Sequence, residues 1–294
     1  MTQMLANIVQ HRPSPYPPIP DPVFVELRTF IYERTGIFFA DKKKYLLEGR
    51  LGKRLQQLRL QGYDEYVHLL KYGANRNEEY DYLCDAVTIN ETFFFRNEPQ
   101  FEAFEDVALP DVLAAKQKQG LAPRLRIWSA ACSTGEEPYT LAILFLEKFR
   151  YKYPNLSFEI VGTDISPSVL QVASRGAYGE YSIRNLPPQL LEKYFHPEEG
   201  RYRLREDVRK CVRYQHLNLY DRQQMKLMRN FDVILCRNVL IYFDSKSKVQ
   251  VVADLYNSLN YGGYLFIGHS ELLHGISAAF KVKSFPKATA YKKE

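Results

Sequence analysis

After Pro123 the chain alternates short apolar runs with amphipathic helical stretches, and this alternation restricts the second half to very few architectures. LRIWSA, FEIVGTD, VRYQHLNL, FDVILCRN and YLFIGHS are the strand candidates, each followed by enough residues for a crossover helix. Strands that read as near-continuous apolar runs belong to a parallel sheet covered on both faces. The predicted fold class is therefore α/β, a doubly wound sheet. Residues 178–211 do not continue the alternation. They hold Pro187, Pro188, a helix-like QLLEKYF and then HPEEGRYRLRED, which reads as a turn joining two short strands. A small antiparallel β-subdomain inserted beside the main sheet is expected there.

The first half has a different texture. Residues 11–22 carry six prolines in twelve positions, so neither helix nor central strand can form, and an extended leader over 1–22 is predicted. From Val23 the pattern is helical, with Phe24, Leu27 and Ile31 on one face and Gly36 as a stop. Asp41 is read as the N-cap of a long helix with the stripe Leu47, Leu51, Leu55 and Leu58, ending at Gly62. Two shorter helices are expected around Asp64–Tyr72 and Glu78–Val87. The predicted organisation is a leader (1–22), an all-helical domain (23–90), a linker and helix (91–120) and the sheet domain (121–294).

Composition narrows the function classes. With 46% hydrophobic and 14% aromatic residues the chain can bury sizeable cores. It has no uninterrupted apolar run of membrane-spanning length and no signal-peptide pattern, which predicts a soluble cytoplasmic protein without membrane insertion. Cys84, Cys132, Cys211 and Cys236 form no CxxC pair and the six histidines no HExxH, so neither a disulfide framework nor a catalytic metal is expected. The net charge of +6 suits an acidic partner without choosing among nucleic acid, anionic lipid and protein.

In a doubly wound sheet, ligands sit beyond the carboxyl ends of the strands. The first strand runs there into SAACSTGEEPYT, where small residues and Gly135 let the backbone pass close to a ligand and Pro138 suits a first helical turn. A dinucleotide fold would carry G-x-G-x-x-G at this point. The single glycine is followed instead by Glu136 and Glu137. Two carboxylates repel a pyrophosphate but attract a cationic amino group such as that of S-adenosylmethionine. Acids in a first turn also complement the helix dipole, and the pair alone does not decide between these roles. The second strand ends in Asp164, placed to accept ribose hydroxyls or, alternatively, to cap the next helix.

Three strings, Asn90-Glu91-Thr92-Phe93-Phe94-Phe95-Arg96, the turn WSAACSTGEEPYT, and Cys236-Arg237-Asn238-Val239-Leu240-Ile241-Tyr242-Phe243-Asp244, together resemble the chemotaxis receptor methyltransferases of the CheR family. The resemblance covers about Phe24 to Tyr291. It implies a Rossmann-like S-adenosylmethionine-dependent domain with an inserted β-subdomain behind a small helical domain. It further implies methyl transfer to glutamate carboxylates in the cytoplasmic domain of a chemoreceptor, with S-adenosylhomocysteine as product and a monomer as the family default; no nucleic-acid partner is expected, since the chain lacks an NPPY-like strand-end motif and its basic residues sit in a helical domain without the aromatic interleaving of single-strand binding. By matching positions, Asn90, Thr92, Arg96, Glu137, Asp164, Asn218, Leu219, Arg237 and Asn238 would line the cofactor and active site. Of the two turn acids, Glu137 matches the family's ligand.

Esterifying a carboxylate that is already ionised at neutral pH needs orientation and desolvation more than a base. Arg96 is the residue expected to orient it, because a guanidinium fork matches a carboxylate. Tyr242, four positions after Asn238, is expected beside it or as a packed rim aromatic. The run Phe93 to Phe95 is expected to pack mostly between domains. In the first half Lys43, Arg50 and Arg54, flanked by Lys53, form a basic face on which an acidic receptor helix could dock; a charge run also commonly marks a merely solvated face. HPEEGRYR is shorter and poorer in glycine than the corresponding loop of family members that tether a receptor's C-terminal pentapeptide, so no such tether is expected. The competing readings are a methyltransferase acting on another substrate and a signalling module that binds S-adenosylmethionine without turnover.

Overall fold

The computed structural model describes residues 16–294, so most of the predicted leader lies outside the described residues. Its described end departs from expectation. Ile19 is buried with its N–H donating to Glu48 Oε1 (3.0 Å), and helix α1 begins at Asp21 rather than Val23. Pro22 fits there because the first-turn N–H groups have no helical acceptor to lose.

The chain divides into two compact units, one formed by the residues up to Phe30 with Phe39–Val87, the other by Ile31–Phe38 with Thr88–Glu294. The first is helical: α1 (Asp21–Thr35, its last turn counted with the second unit), α2 (Lys44–Leu58), α3 (Tyr63–Tyr72) and α4 (Arg76–Val87). Leu47, Leu51 and Leu55 are the buried stripe of α2. Asp41 does not cap that helix. It lies in a 3₁₀ turn, Asp41–Lys43, with its carboxylate paired to Arg28. Nor does α2 reach Gly62: Arg59 adopts a left-handed φ of 57°, and Gly62 becomes the extended residue ahead of α3.

The second unit holds a seven-stranded sheet made of β1 (Arg124–Ala130), β2 (Ser157–Asp164), β6 (Val212–His216), β7 (Phe231–Cys236), β8 (Leu259–Ile267), β9 (Phe280–Phe285) and β10 (Ala288–Lys293). The order is β6-β2-β1-β7-β8-β10-β9. The first five in that order run parallel, with Trp128 opposite Val161 and Ile234, and all six residues of β7 are buried. The antiparallel hairpin β9–β10 was not among the strand candidates, because KVKSF alternates polar and apolar residues as a half-exposed edge does. A separate three-stranded antiparallel sheet contains β3 (Ala177–Tyr178), β4 (Phe195–Glu198) and β5 (Arg201–Leu204) in the order β3-β5-β4.

Helices α5 (Glu98–Ala103) and α6 (Leu109–Lys118) are joined through a π turn, Phe104–Ala108, ahead of Pro110, whose ring would clash in a regular helix interior. The stretch 91–120 is no separate connector, since Phe101, Phe104, Leu109 and Val112 share the core of the sheet unit. Phe94, from the run expected between domains, belongs to the same core. It is buried within this unit, edge-on to Tyr178 and Phe195 of the small sheet at 5.0 and 5.3 Å.

Candidate active site

β1 has β2 and then β6 on one side and β7 and β8 on the other, so the order reverses at β1 and a crevice opens at the carboxyl ends of the strands. A cavity of ≈ 310 Å³ occupies it. It is lined by Ala131–Ser133 and Glu137 after β1, Asp164 at the end of β2, 217–219 after β6 and 237–239 after β7, and closed by 88–93 with Arg96 and Tyr242. Every residue expected at the cofactor and active site, from Asn90 to Tyr242, lines this single cavity.

The turn after β1 is held in an unusual backbone. Ala131 and Ser133 have left-handed φ values of 57° and 50°, each costing about 1–3 kcal/mol that surrounding bonds must offset. Gly135, with φ 92°, heads α7 (Glu136–Leu144). A Cβ there would stand 2.5 Å from Tyr214 Oη and 2.8 Å from Ala173 Cβ, so no other residue fits. The turn is tied across to β2 by Cys132 N–H donating to Thr163 O (2.8 Å) and Ser133 N–H donating to Asp164 Oδ2 (2.9 Å).

The two turn carboxylates separate completely. Glu136 is buried behind the turn, accepts the Thr134 hydroxyl (2.6 Å), and is held above the ordinary carboxylate range by burial. Glu137 lines the cavity. It accepts Ser129 Oγ at 2.6 Å and pairs with Arg237 Nη1 at 2.8 Å, so a cationic ligand would share its charge with Arg237. Arg237 is a clamp more than a cavity donor: its remaining nitrogens go to Gln100 Oε1 (2.6 Å) and the backbone oxygen of Arg96, and Gln100 in turn donates to Ile267 O.

Asp164 is buried, and burial raises its carboxyl above the ordinary range although Ser166 N–H and Ser133 N–H both donate to it. The cap of the next helix, Pro167–Arg175, comes from Ser166, which accepts from Val169 N–H. Asn218 and Leu219 lie just beyond β6, which ends at His216 and not at Leu219. The Asn218 amide is already committed, donating to Arg34 O (2.6 Å) and accepting from Tyr220 N–H (2.9 Å), so it shapes the wall. Asn90 O accepts from Ser133 Oγ at 3.5 Å, drawing that segment towards the turn.

Arg96 and one acid stand out for opposite reasons. Arg96 spends one donor on the backbone oxygen of Glu91 and forms no ion pair with any described residue. Its carbon Cζ lies 5.7 Å from the Phe93 ring centre, and Tyr242 Oη donates to Ile89 O at 3.5 Å on the same rim. Glu271 escaped the sequence reading. Its buried carboxylate accepts the N–H groups of Asn238 (3.0 Å), Ile241 (3.2 Å) and Gly268 (2.6 Å), fixing Asn238 at a left-handed φ of 59°. A Cβ on Gly268 would lie 2.7 Å from that carboxylate. Glycine followed three residues on by an acid, directly after a strand, was the only local signal.

Among the basic residues expected to dock a partner, Arg50 and Arg54 turn inward. Arg54 pairs with Glu79 at 2.6 Å and stacks over Tyr82, and Arg50 donates to Val87 O (2.8 Å), whereas Lys43 and Lys53 are exposed.

Comparison with known proteins agrees with this geometry. The family described as "CheR methyltransferase, SAM binding domain" matches residues 90–289, and "CheR methyltransferase, all-alpha domain" matches 22–88. Chemotaxis protein methyltransferase 2 of Vibrio cholerae is 39% identical, covering 94% of this chain and 94% of its own length. The chemotaxis protein methyltransferase of Borreliella burgdorferi is 37% identical over 83% of this chain and 86% of its own, and methyltransferase 1 of Pseudomonas aeruginosa 35% identical over 86% and 91%.

Proposed function

The chain belongs to the CheR methyltransferase family, and from that premise we propose that it methylates glutamate side-chain carboxylates of chemoreceptors in chemotactic adaptation. It is an S-adenosylmethionine-dependent methyltransferase. The observation that carries the carboxylate reading is Arg96, a cavity-lining guanidinium without an acidic partner among the described residues, next to the Tyr242 rim.

The residues present fit the cofactor. Glu137 and the buried Asp164 form an acidic wall suited to the cationic methionine end and the ribose hydroxyls, and Asn90, Thr92, Leu219 and Asn238 complete the enclosure. S-adenosylmethionine, when bound, supplies an electrophilic methyl group on a sulfonium. Arg96 would receive the substrate carboxylate and fix its direction of approach, while Tyr242 supplies a hydroxyl to the same rim. The carboxylate arrives ionised, so no residue has to remove a proton. A held near-attack geometry can contribute roughly 7–11 kcal/mol to such a step. Arg237, in the wall, holds Glu137 and the 96–100 segment, and Glu271, behind it, holds the backbone of Asn238.

Lys43 and Lys53 are the exposed cations on which an acidic receptor helix would dock. The turn between β4 and β5 is only Glu199 and Gly200, which supports independence from a receptor's C-terminal pentapeptide. A micromolar dissociation constant for that pentapeptide would refute the latter. The central test uses tritiated S-adenosylmethionine with receptor-containing membranes. Base-labile methanol is the expected product; base-stable label would reassign the substrate, and S-adenosylhomocysteine binding without any transfer would make the chain a non-catalytic module.

A further inference from the structure

The helix Glu180–Ile183, next to the small sheet, is bonded to the rim of the cavity. Phe94 N–H donates to Ser182 O at 2.9 Å, Tyr181 Oη donates to Glu91 Oε1 at 2.7 Å, and the Tyr181 and Phe93 rings meet edge to face at 6.4 Å. The residue that follows this helix, Arg184, lies across both rings, with its guanidinium carbon 3.5 Å from the Phe93 centre and 3.7 Å from the Tyr181 centre. One nitrogen donates to Tyr181 O, and the side chain forms no ion pair with any described residue. Phe93 lines the cavity and carries Arg96 as well. The two guanidinium carbons therefore stand within about 9 Å of each other on one aromatic ring, and neither has an acid of its own. Glu91, the carboxylate bonded into this cluster, is held by the Tyr181 hydroxyl and pairs with neither arginine.

An exposed arginine held flat by stacking has surrendered part of its conformational freedom before any partner arrives, so a carboxylate that reaches it gains more than at a mobile surface cation. A separation of no more than about 9 Å lets the two arginines reach acids three or four residues apart on one helix face, whose Cβ atoms are about 5–6 Å apart with longer side chains reaching outward. We infer that Arg184 is a specificity residue which binds a second carboxylate of the substrate, one helical turn from the glutamate presented to Arg96. This inference rests on the protein-carboxylate reading of the site.

The test is steady-state methylation of a recombinant chemoreceptor cytoplasmic fragment with one acceptor glutamate, in which the positions three and four residues to either side are all Asp or all Asn. The unaltered enzyme should show a KM roughly threefold to tenfold lower for the Asp fragment. Arg184→Ala should erase that preference through KM rather than kcat, without moving the Kd for S-adenosylhomocysteine, and Arg184→Lys should restore part of it. An Asp preference that survives Arg184→Ala overturns this inference alone, as does a loss falling on kcat or on S-adenosylhomocysteine binding, which would make Arg184 structural. An unaltered enzyme that esterifies neither fragment overturns the carboxylate reading of the site, and this inference with it.

Discussion

The buried acid of the helical unit is closed by its own arginine, while two arginines near the cavity have no acid among the described residues to pair with. Glu79, with a side chain 4% exposed, is met by Arg54 at 2.6 Å and by the Tyr66 hydroxyl at 2.8 Å, and the arginine is stacked on Tyr82. Around the cavity, Arg96 and Arg184 have no acid among the described residues, and the buried Asp164 is met by backbone N–H groups. A buried carboxylate paired inside its own unit is a structural element. An arginine left without an acid at a cavity wall, as Arg96 is, is a cost carried for a ligand. A high density of arginine in a sequence therefore says little about availability; the acids that fold against it decide.

The comparison breaks most sharply at its two arginines. Arg96→Ala should lower kcat about 100-fold or more while leaving the Kd for S-adenosylhomocysteine nearly unchanged, because orientation of the acceptor is lost and not the cofactor wall. Strong loss of that binding in calorimetry would move Arg96 to the cofactor side. Arg54→Glu should do the reverse, costing about 3 kcal/mol of stability by facing Glu79 with a like charge, visible as a lowered melting temperature. A variant as stable as the parent would show that the pair is not the closed element described.

Glu271→Gln should reduce kcat about tenfold with a smaller effect on stability, since one amide cannot accept all three of the N–H groups that the carboxylate holds. An unchanged kcat would remove Glu271 from the support of Asn238. For Asp164, burial holds the carboxyl above its ordinary value of 3.8. A raised acid keeps its proton to higher pH, so ionising it opposes folding, and this penalty disappears on acidification below its raised value. S-adenosylhomocysteine affinity, which needs the ionised form to accept ribose hydroxyls, should accordingly begin to fall at a pH above the usual aspartate range. Asp164→Asn should bind more weakly and without that step; the same pH profile in the variant would assign the step elsewhere. The smallest effect belongs to the exposed lysines. Lys43→Glu with Lys53→Glu should raise the KM for receptor about threefold to fivefold and leave stability within about 0.5 kcal/mol. An unchanged KM would remove them from docking.

Much of this is legible in the sequence. The alternation after Pro123, the leucine stripe of α2 and the strand-end position of Asp164 follow from side-chain period and from which residues bear tight turns. The hairpin β9–β10 was missed because an edge strand is half polar and gives a weak period. Asp41 was misread as a cap because its local pattern was right and Arg28, thirteen residues earlier, bound the carboxylate instead.

By itself the sequence determined the class of fold, the family, and the short strings that meet at the carboxyl ends of the strands, because backbone sterics and hydrophobic period act over a few residues. Only the tertiary structure decided that Arg237 is a clamp on Glu137, that Glu271 holds the Asn238 loop, and that Arg54 is paired while Arg96 and Arg184 stay open. Each of those outcomes depends on a partner brought from far along the chain, such as Arg237 to Glu137 across 100 positions, and no local pattern encodes which distant group will arrive.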